Sequence, residues 1–238
     1  MLAIAHRGAS AYAPENTRPA FERAIEIGAN MIETDVQMTR DGELVLFHDD
    51  IVDRTSDGVG PLADYTLDEL RRLDIGAWMG SEFAGERIVT LDEFWDSFVP
   101  RITVCLEIKD PLATDSLVRF LSENELADRV QVTSFSWSAV TRAKSEIDGP
   151  IGFVCRHFNE DILDRCVARG IVQICPPVAE LSVERVQSAH ERGLDVRAWG
   201  IRERSDIDRL FETGADGATC DSPDWITNHA SYTGRSQR

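Results

Sequence analysis

Along the chain, short apolar runs alternate with longer stretches whose apolar residues recur every three or four positions. The runs at residues 2–5, 31–36, 102–108, 130–135, 151–154, 171–174, 194–199 and 217–219 read as strands, and a run at 44–47 extends or follows the second. Between them, residues 14–27, 90–98, 116–123, 136–146, 160–169, 182–192 and 204–213 read as amphipathic helices. In the first of these, Ala20, Phe21, Ala24 and Ile25 fall at helical spacing, and Gly28 stands where helices commonly stop. Thr90-Leu91-Asp92-Glu93 has capping-box spacing, which predicts where the second begins. Eight strands separated by helices predict an α/β fold with a parallel sheet, closed as a (β/α)₈ TIM barrel or open and doubly wound, and a length of 238 residues favours the barrel. Residues 49–88 break the rhythm. They are rich in Gly, Asp and Thr with one helix-like piece at 66–73, so they read as a small insertion after the second strand. On this reading residues 1–238 form a single barrel domain, with a polar, frayed tail after His229.

Composition narrows the partners. Hydrophobic residues make up 42% of the chain, enough for a sizeable core. Lys plus Arg is 25 against 42 Asp plus Glu, and 25 − 42 gives −17. That charge repels a phosphate backbone at long range, which speaks against nucleic acid and anionic membranes as partners, although a bound divalent cation would reverse the sign locally. No apolar run reaches the roughly 18–20 residues of a membrane span, so no integral membrane segment is expected. The first seven residues reach charge too soon for a secretory signal. Cys105, Cys155, Cys166, Cys175 and Cys220 form no Cys-x-x-Cys pair and read as reduced thiols of a cytoplasmic protein. The oligomeric state stays open.

The ionisable residues near the strands collect at one kind of place. His6 and Arg7 follow the first strand, Glu33 and Asp35 lie late in the second, His48 closes the run after it, and Glu107 and Lys109 end the third. Barrel enzymes carry their reacting groups at the C-terminal ends of strands. Residues two apart in a strand share a face, so Glu33 points with Asp35 and Glu107 with Lys109. Three carboxylates in one barrel mouth need compensation. A hard divalent cation, Mg²⁺ or Ca²⁺, suits an all-oxygen set, and neutralisation by Arg7 and Lys109 in a structural ion network is the alternative. Two histidines beside such a cluster suit acid–base chemistry near neutral pH. His157, His190 and His229 lack that context and are expected to be structural or exposed. Trp78, Phe83 and Trp95 are expected in the insertion and helix cores, and Asp206 and Asp208 on a solvated face.

Several motifs resemble those of the glycerophosphodiester phosphodiesterases. They include His6-Arg7-Gly8, Pro14-Glu15-Asn16-Thr17, Glu33-Thr34-Asp35, Thr39-Arg40-Asp41-Gly42, His48-Asp49, Thr66-Leu67-Asp68-Glu69-Leu70 and Glu107-Ile108-Lys109. Looser matches continue through Ser134-Phe135, Trp199, Gly214-Ala215-Asp216-Gly217 and Asp221-Ser222-Pro223, so the resemblance spans about residues 2–226. It implies a (β/α)₈ barrel with a small insertion after the second strand. It also implies that Glu33, Asp35 and Glu107 hold one divalent cation, that His6 and His48 are the acid–base pair, and that Arg7 and Lys109 contact the substrate phosphate. Phe135 and Trp199 would pack against the alcohol, with ordinary barrel-top packing as the alternative. Trp199 is followed by Gly200-Ile201, and Cys175-Pro176-Pro177 stands where relatives often carry an Asn-Pro-like pattern, so the headgroup stays open.

The expected reaction is metal-dependent hydrolysis of a small glycerophosphodiester to glycerol 3-phosphate and an alcohol. A cation with Arg7 and Lys109 would stabilise charge building on the phosphoryl oxygens. His6 is taken as base and His48 as acid, an order that can be exchanged without changing the pattern. The alternatives are the same chemistry on lysophospholipids or other phosphodiesters, which Trp78, Met79, Phe83 and Ile88 suggest, and a non-catalytic phosphate-ligand binding module.

Overall fold

A computed structural model describes residues 1–126 and 129–234; the end of the polar tail, 235–238, lies outside them. Among the described residues there are nine strands: β1 Leu2–His6, β2 Met31–Met38, β3 Leu44–Leu46, β4 Thr103–Ile108, β5 Val130–Ser134, β6 Ile151–Val154, β7 Gln173–Cys175, β8 Asp195–Ala198 and β9 Gly217–Cys220. The helices are α1 Arg18–Ile27, α2 Leu67–Leu70, α3 Leu91–Phe98, α4 Thr114–Glu123, α5 Trp137–Glu146, α6 Glu160–Ala168, α7 Val183–Glu191, α8 Arg204–Thr213 and α9 Asp224–Thr227. All strands but β3 pair in parallel, in the order β1-β9-β8-β7-β6-β5-β4-β2, and β1 pairs with β2 to close the barrel. The expected (β/α)₈ barrel is therefore the fold.

Strand parity divides the barrel into two environments. Outward residues such as Ala3, Ala5, Ile32, Val36, Val104 and Leu106 join the helices in one continuous core, where Phe21 of α1 meets Phe94 and Phe98 of α3 edge-on. Inward residues at the bottom of the first strands form a small apolar plug of Ile4, Met31 and Cys105, with Leu2 against it. Two residues further along the same inward rows stand His6, Glu33 and Glu107. The interior thus changes from apolar to charged toward the C-terminal mouth, as expected of barrel enzymes.

Several boundaries differ from the sequence pattern, each for a local reason. Helix α1 starts at Arg18, not 14, because Asn16 takes a left-handed conformation (φ 56°) and Thr17 is extended. Strand β7 begins two residues later than the apolar run suggests. Segment 44–47 does not extend β2. It turns back as antiparallel β3, pairing Leu46 with Val36 and Leu44 with Met38. The inserted segment then builds a second apolar cluster, in which Val52, Leu62, Leu70, Ile75 and Ile88 pack with Val45 and Phe47. Trp95 is buried in the main core as expected, but Trp78 is 45% exposed and Phe83 only half-buried. Trp78 spends its indole N–H on the Ile75 carbonyl, which leaves the ring at the surface. Asp206 is more than solvated surface: it caps α8 by accepting the Arg202 and Glu203 amides.

Candidate active site

Parallel register builds the site from the first strands. It sets His6 opposite Glu33, and Asp35 opposite Glu107. The Phe47 amide donates to the Asp35 carbonyl at 3.0 Å, so the residue after it, His48, lands at the same rim. The Lys109 amide likewise donates to the Val36 carbonyl at 3.1 Å. Glu33, Asp35 and Glu107 are all buried and each offers an oxygen within 4.8 Å of the others. A cavity of about 380 Å³ opens above them, lined by His6, Arg7, Glu33, His48, Glu107 and Lys109 on one side. Phe135, Arg156, Trp199 and Arg202 line the other. Asp35 is fully buried behind this wall.

The opening motif explains itself in these contacts. Gly8 turns at φ 81°, and a Cβ there would lie 2.6 Å from the Ala20 backbone of α1. Only glycine lets the chain pass so close. Arg7 before it is also left-handed, φ 56°, a conformation that stores strain and often marks a site. That turn aims the Arg7 amide at Glu33 Oε2, 3.1 Å away. Asn16 donates to Asp35 Oδ2 at 3.0 Å and accepts from the Thr34 hydroxyl at 2.7 Å, so it orients the Asp35 carboxylate. Glu15 bonds Arg7 Nη1 at 2.8 Å and receives a two-pronged bond from Arg54, whose Nε reaches Asp49.

Each histidine rests on an aspartate. His6 Nδ1 lies 2.5 Å from Asp221 Oδ1, and His48 Nδ1 lies 2.5 Å from Asp49 Oδ1. A carboxylate can only accept, so Nδ1 carries the hydrogen in both rings and Nε2 is left for the cavity. The environments then separate them. Burial lowers the pKa of His6, but the Asp221 bond and the Glu33 charge outweigh it and raise the ring above its ordinary value. For His48 burial prevails, Arg7 and Lys109 act with it, and the pKa falls despite Asp35 and Asp49. The other histidines are peripheral, as expected: His157 pairs with Glu180, His190 with Asp216 and His229 with Asp208.

The carboxylates are unequal. Burial works against charge on Asp35, yet Lys109 and Arg7 overcome it and hold the group well below the usual range. Glu33 is pushed up by burial and then by its neighbour Asp35. Lys109 bonds Glu107 at 2.5 Å and stands 3.3 Å from Asp35 Oδ1. Arg7 Nε stands 3.2 Å from Asp35 Oδ2. Even so, Asp35 Oδ1 is buried without a hydrogen bond. That buried anionic oxygen, beside Glu33 and Glu107, belongs to an all-oxygen set that could hold a divalent cation.

On the far wall, Phe135 and Trp199 meet edge-on at 5.5 Å. The Trp199 indole N–H is fixed by the Cys155 and Cys175 carbonyls, at 3.2 and 3.0 Å. Sequence reasoning gave no role to Glu15, Asn16, Asp49, Arg54, Asp221 or the two far-wall arginines, although Glu15, Asn16, Asp49 and Asp221 stand in the motifs that resemble the family. It also missed Arg197, buried inside the barrel against the Cys105 sulfur at 2.9 Å. For Arg197 a signal existed: an arginine between the buried apolar residues Val196 and Ala198 of a barrel strand. Burial raises the Cys105 thiol to about 11, so this contact is to a protonated sulfur. All five cysteines are free and buried.

A closed (β/α)₈ barrel whose C-terminal mouth gathers acid–base pairs, clustered carboxylates and cations is an enzyme scaffold suited to phosphodiester hydrolysis. The family can be named from the whole chain. Residues 6–225 match the model of the glycerophosphoryl diester phosphodiesterase family, and the chain belongs to that family. It is 34% identical to a glycerophosphodiester phosphodiesterase of Caldanaerobacter subterraneus subsp. tengcongensis, over 95% of this chain and 96% of that protein. A glycerophosphodiester phosphodiesterase of Bacillus subtilis is 28% identical over 94% of this chain and 84% of its own. Among solved structures, an Oleispira antarctica phosphodiesterase in complex with the product sn-glycerol-3-phosphate superposes with a TM-score of 0.87 at 28% identity, over 94% of each chain. Among the described residues no helix is long and apolar enough to cross a membrane.

Proposed function

We propose that the protein hydrolyses small glycerophosphodiesters to glycerol 3-phosphate and an alcohol, with a divalent cation and a histidine pair. The observation that carries this reading is the pair of aspartate-held imidazoles flanking three buried carboxylates above one cavity. Glu33, Asp35 and Glu107 would hold the cation, Mg²⁺ or Ca²⁺, which would supply positive charge to the phosphoryl oxygens. Arg7 and Lys109, already at the cavity wall, would share their donors between these carboxylates and the substrate phosphate.

The opposite pKa directions of the histidines favour reversing the order taken from the sequence. His48, whose pKa burial lowers, would take the proton from the attacking oxygen through Nε2. His6, held through Nδ1 by Asp221 and with its pKa raised, would give its proton to the departing alkoxide. The attacker is either water or the adjacent glycerol hydroxyl, the latter giving a cyclic phosphate that water then opens. Phe135 and Trp199 would flank the alcohol. The whole chain would act as one barrel domain with residues 49–88 inserted, in the cytoplasm, as its five free buried thiols suggest.

Acylated diesters are the second reading. Trp78 is exposed enough to meet a lipid, but Ile88 is buried and Phe83 half-buried, so the apolar patch that reading needs is thin. Turnover of glycerophosphocholine by purified protein, with and without chelator and against its lysophospholipid counterpart, tests both. Metal-dependent cleavage of the deacylated diester is expected. Activity that survives thorough chelation, or faster cleavage of the acylated one, would count against the proposal.

A further inference from the structure

The far wall of the cavity carries two exposed guanidinium groups, those of Arg156 and Arg202. On this strongly acidic chain, Arg7, Arg54, Arg101, Arg142 and Arg192 each meet a carboxylate, while Arg18, Arg87, Arg129 and Arg209 bond hydroxyl or carbonyl oxygens instead. Among the described residues Arg156, just after β6, and Arg202, just before α8, form no ion pair, and both line the cavity. The Arg156 guanidinium sits over the Phe135 ring, 5.2 Å from its centroid, and Lys109 Nζ approaches the same ring at 5.8 Å. That ring therefore already has two cations near it. A quaternary ammonium, which needs an open aromatic face, would meet positive charge there instead. Beside the arginines, Gly200 leaves open space, since a Cβ added to it would meet nothing within 4 Å.

We propose that Arg156, assisted by Arg202, selects diesters whose alcohol carries its own anionic group, a carboxylate or a further phosphate. The claim rests on the reading that Phe135 and Trp199 face the alcohol. A guanidinium fork matches the planar oxygens of either group, and a charge-assisted contact of this kind at a half-open rim contributes about tenfold in affinity.

Two matched pairs test it. Glycerophosphoserine and glycerophosphoethanolamine differ by one carboxylate, and glycerophosphoglycerol is compared with and without a terminal phosphate. Wild-type kcat/KM is expected to favour the anionic member of at least one pair by about tenfold, through KM, and the pair that responds identifies the group. Arg156→Gln, and further Arg156→Gln with Arg202→Gln, should abolish the preference while cleavage of glycerophosphoethanolamine stays within about twofold. Arg156→Lys should restore part of it. Equal turnover within both pairs, or a preference for the cationic substrate, overturns the proposal. An equal loss on every substrate in Arg156→Gln also overturns it, by assigning Arg156 to the scissile phosphate. A wild type that cleaves no diester at all instead overturns the hydrolase reading on which the proposal stands.

Discussion

Replacing His6 by alanine removes the group proposed to protonate the leaving alkoxide, and the structure says what remains. His6 is held through Nδ1 by Asp221, 2.5 Å away, and its side chain is about one-third exposed, so its loss should leave the fold intact. No neighbour can replace it. Burial lowers the pKa of His48, and Lys109, despite burial, has its pKa raised by Asp35 and Glu107, so neither is suited to donate a proton in its place. The loss should therefore equal a full general-acid contribution, about 10²–10⁴ in kcat/KM, or about 2.7–5.4 kcal/mol of barrier. The assay compares glycerophosphocholine with the p-nitrophenyl ester of glycerol phosphate, whose leaving group departs without a proton. His6→Ala should lose the whole factor on the choline ester and less than about tenfold on the nitrophenyl ester, whereas His48→Ala should lose heavily on both. Equal losses on both substrates in His6→Ala would refute the acid assignment, and the mirror-image pattern would return that role to His48.

Other consequences lie in stability. Phe21→Ala should cost about 3–5 kcal/mol in urea unfolding, since the ring is fully buried against Phe94 and Phe98 at 4.8 and 5.3 Å; a loss under about 1 kcal/mol would mean the core repacks freely. Gly8→Ala should lower thermal stability by the equivalent of about 2 kcal/mol or more, and activity with it, because φ 81° and the Ala20 backbone at 2.6 Å together exclude a Cβ. Burial opposes charge on Glu15, but Arg54 and Arg7 hold its pKa below the ordinary 4.5. A depressed carboxylate contributes stability above its unfolded pKa and loses it as pH falls through the folded value, so the protein should weaken on acidification below about pH 4.5. Unfolding midpoints of Glu15→Gln should fall less steeply across that window, and an unchanged slope would contradict the pairing.

Much of this molecule could be read from residue pattern alone. The eight barrel strands, the capped helix at Thr90 and the inward pairs Glu33/Asp35 and Glu107/Lys109 follow from periodicity, because strand parity and helix caps are local properties. What escaped was set by distant contacts. Arg54 reaches Glu15 across 39 positions and Asp221 reaches His6 across 215, and nothing in either neighbourhood announces the partner. Helix α1 begins late because Asn16 is committed to Asp35, a demand of the site that overrides helical spacing. Trp78 was misread as core because composition reports that an aromatic is apolar, not that its indole has a local carbonyl to bond at the surface. Arg156 carries no local signal, because what sets it apart is its place on the cavity wall.

The central claim concerns one divalent cation held by Glu33, Asp35 and Glu107. Calorimetric titration of chelator-treated protein with Mg²⁺ or Ca²⁺, run in parallel on Asp35→Asn and His6→Ala, tests it most directly. Wild type and His6→Ala should each bind one ion per chain, with binding lost in Asp35→Asn. Undiminished binding in Asp35→Asn, or none in the wild type alongside full hydrolytic activity, would contradict it.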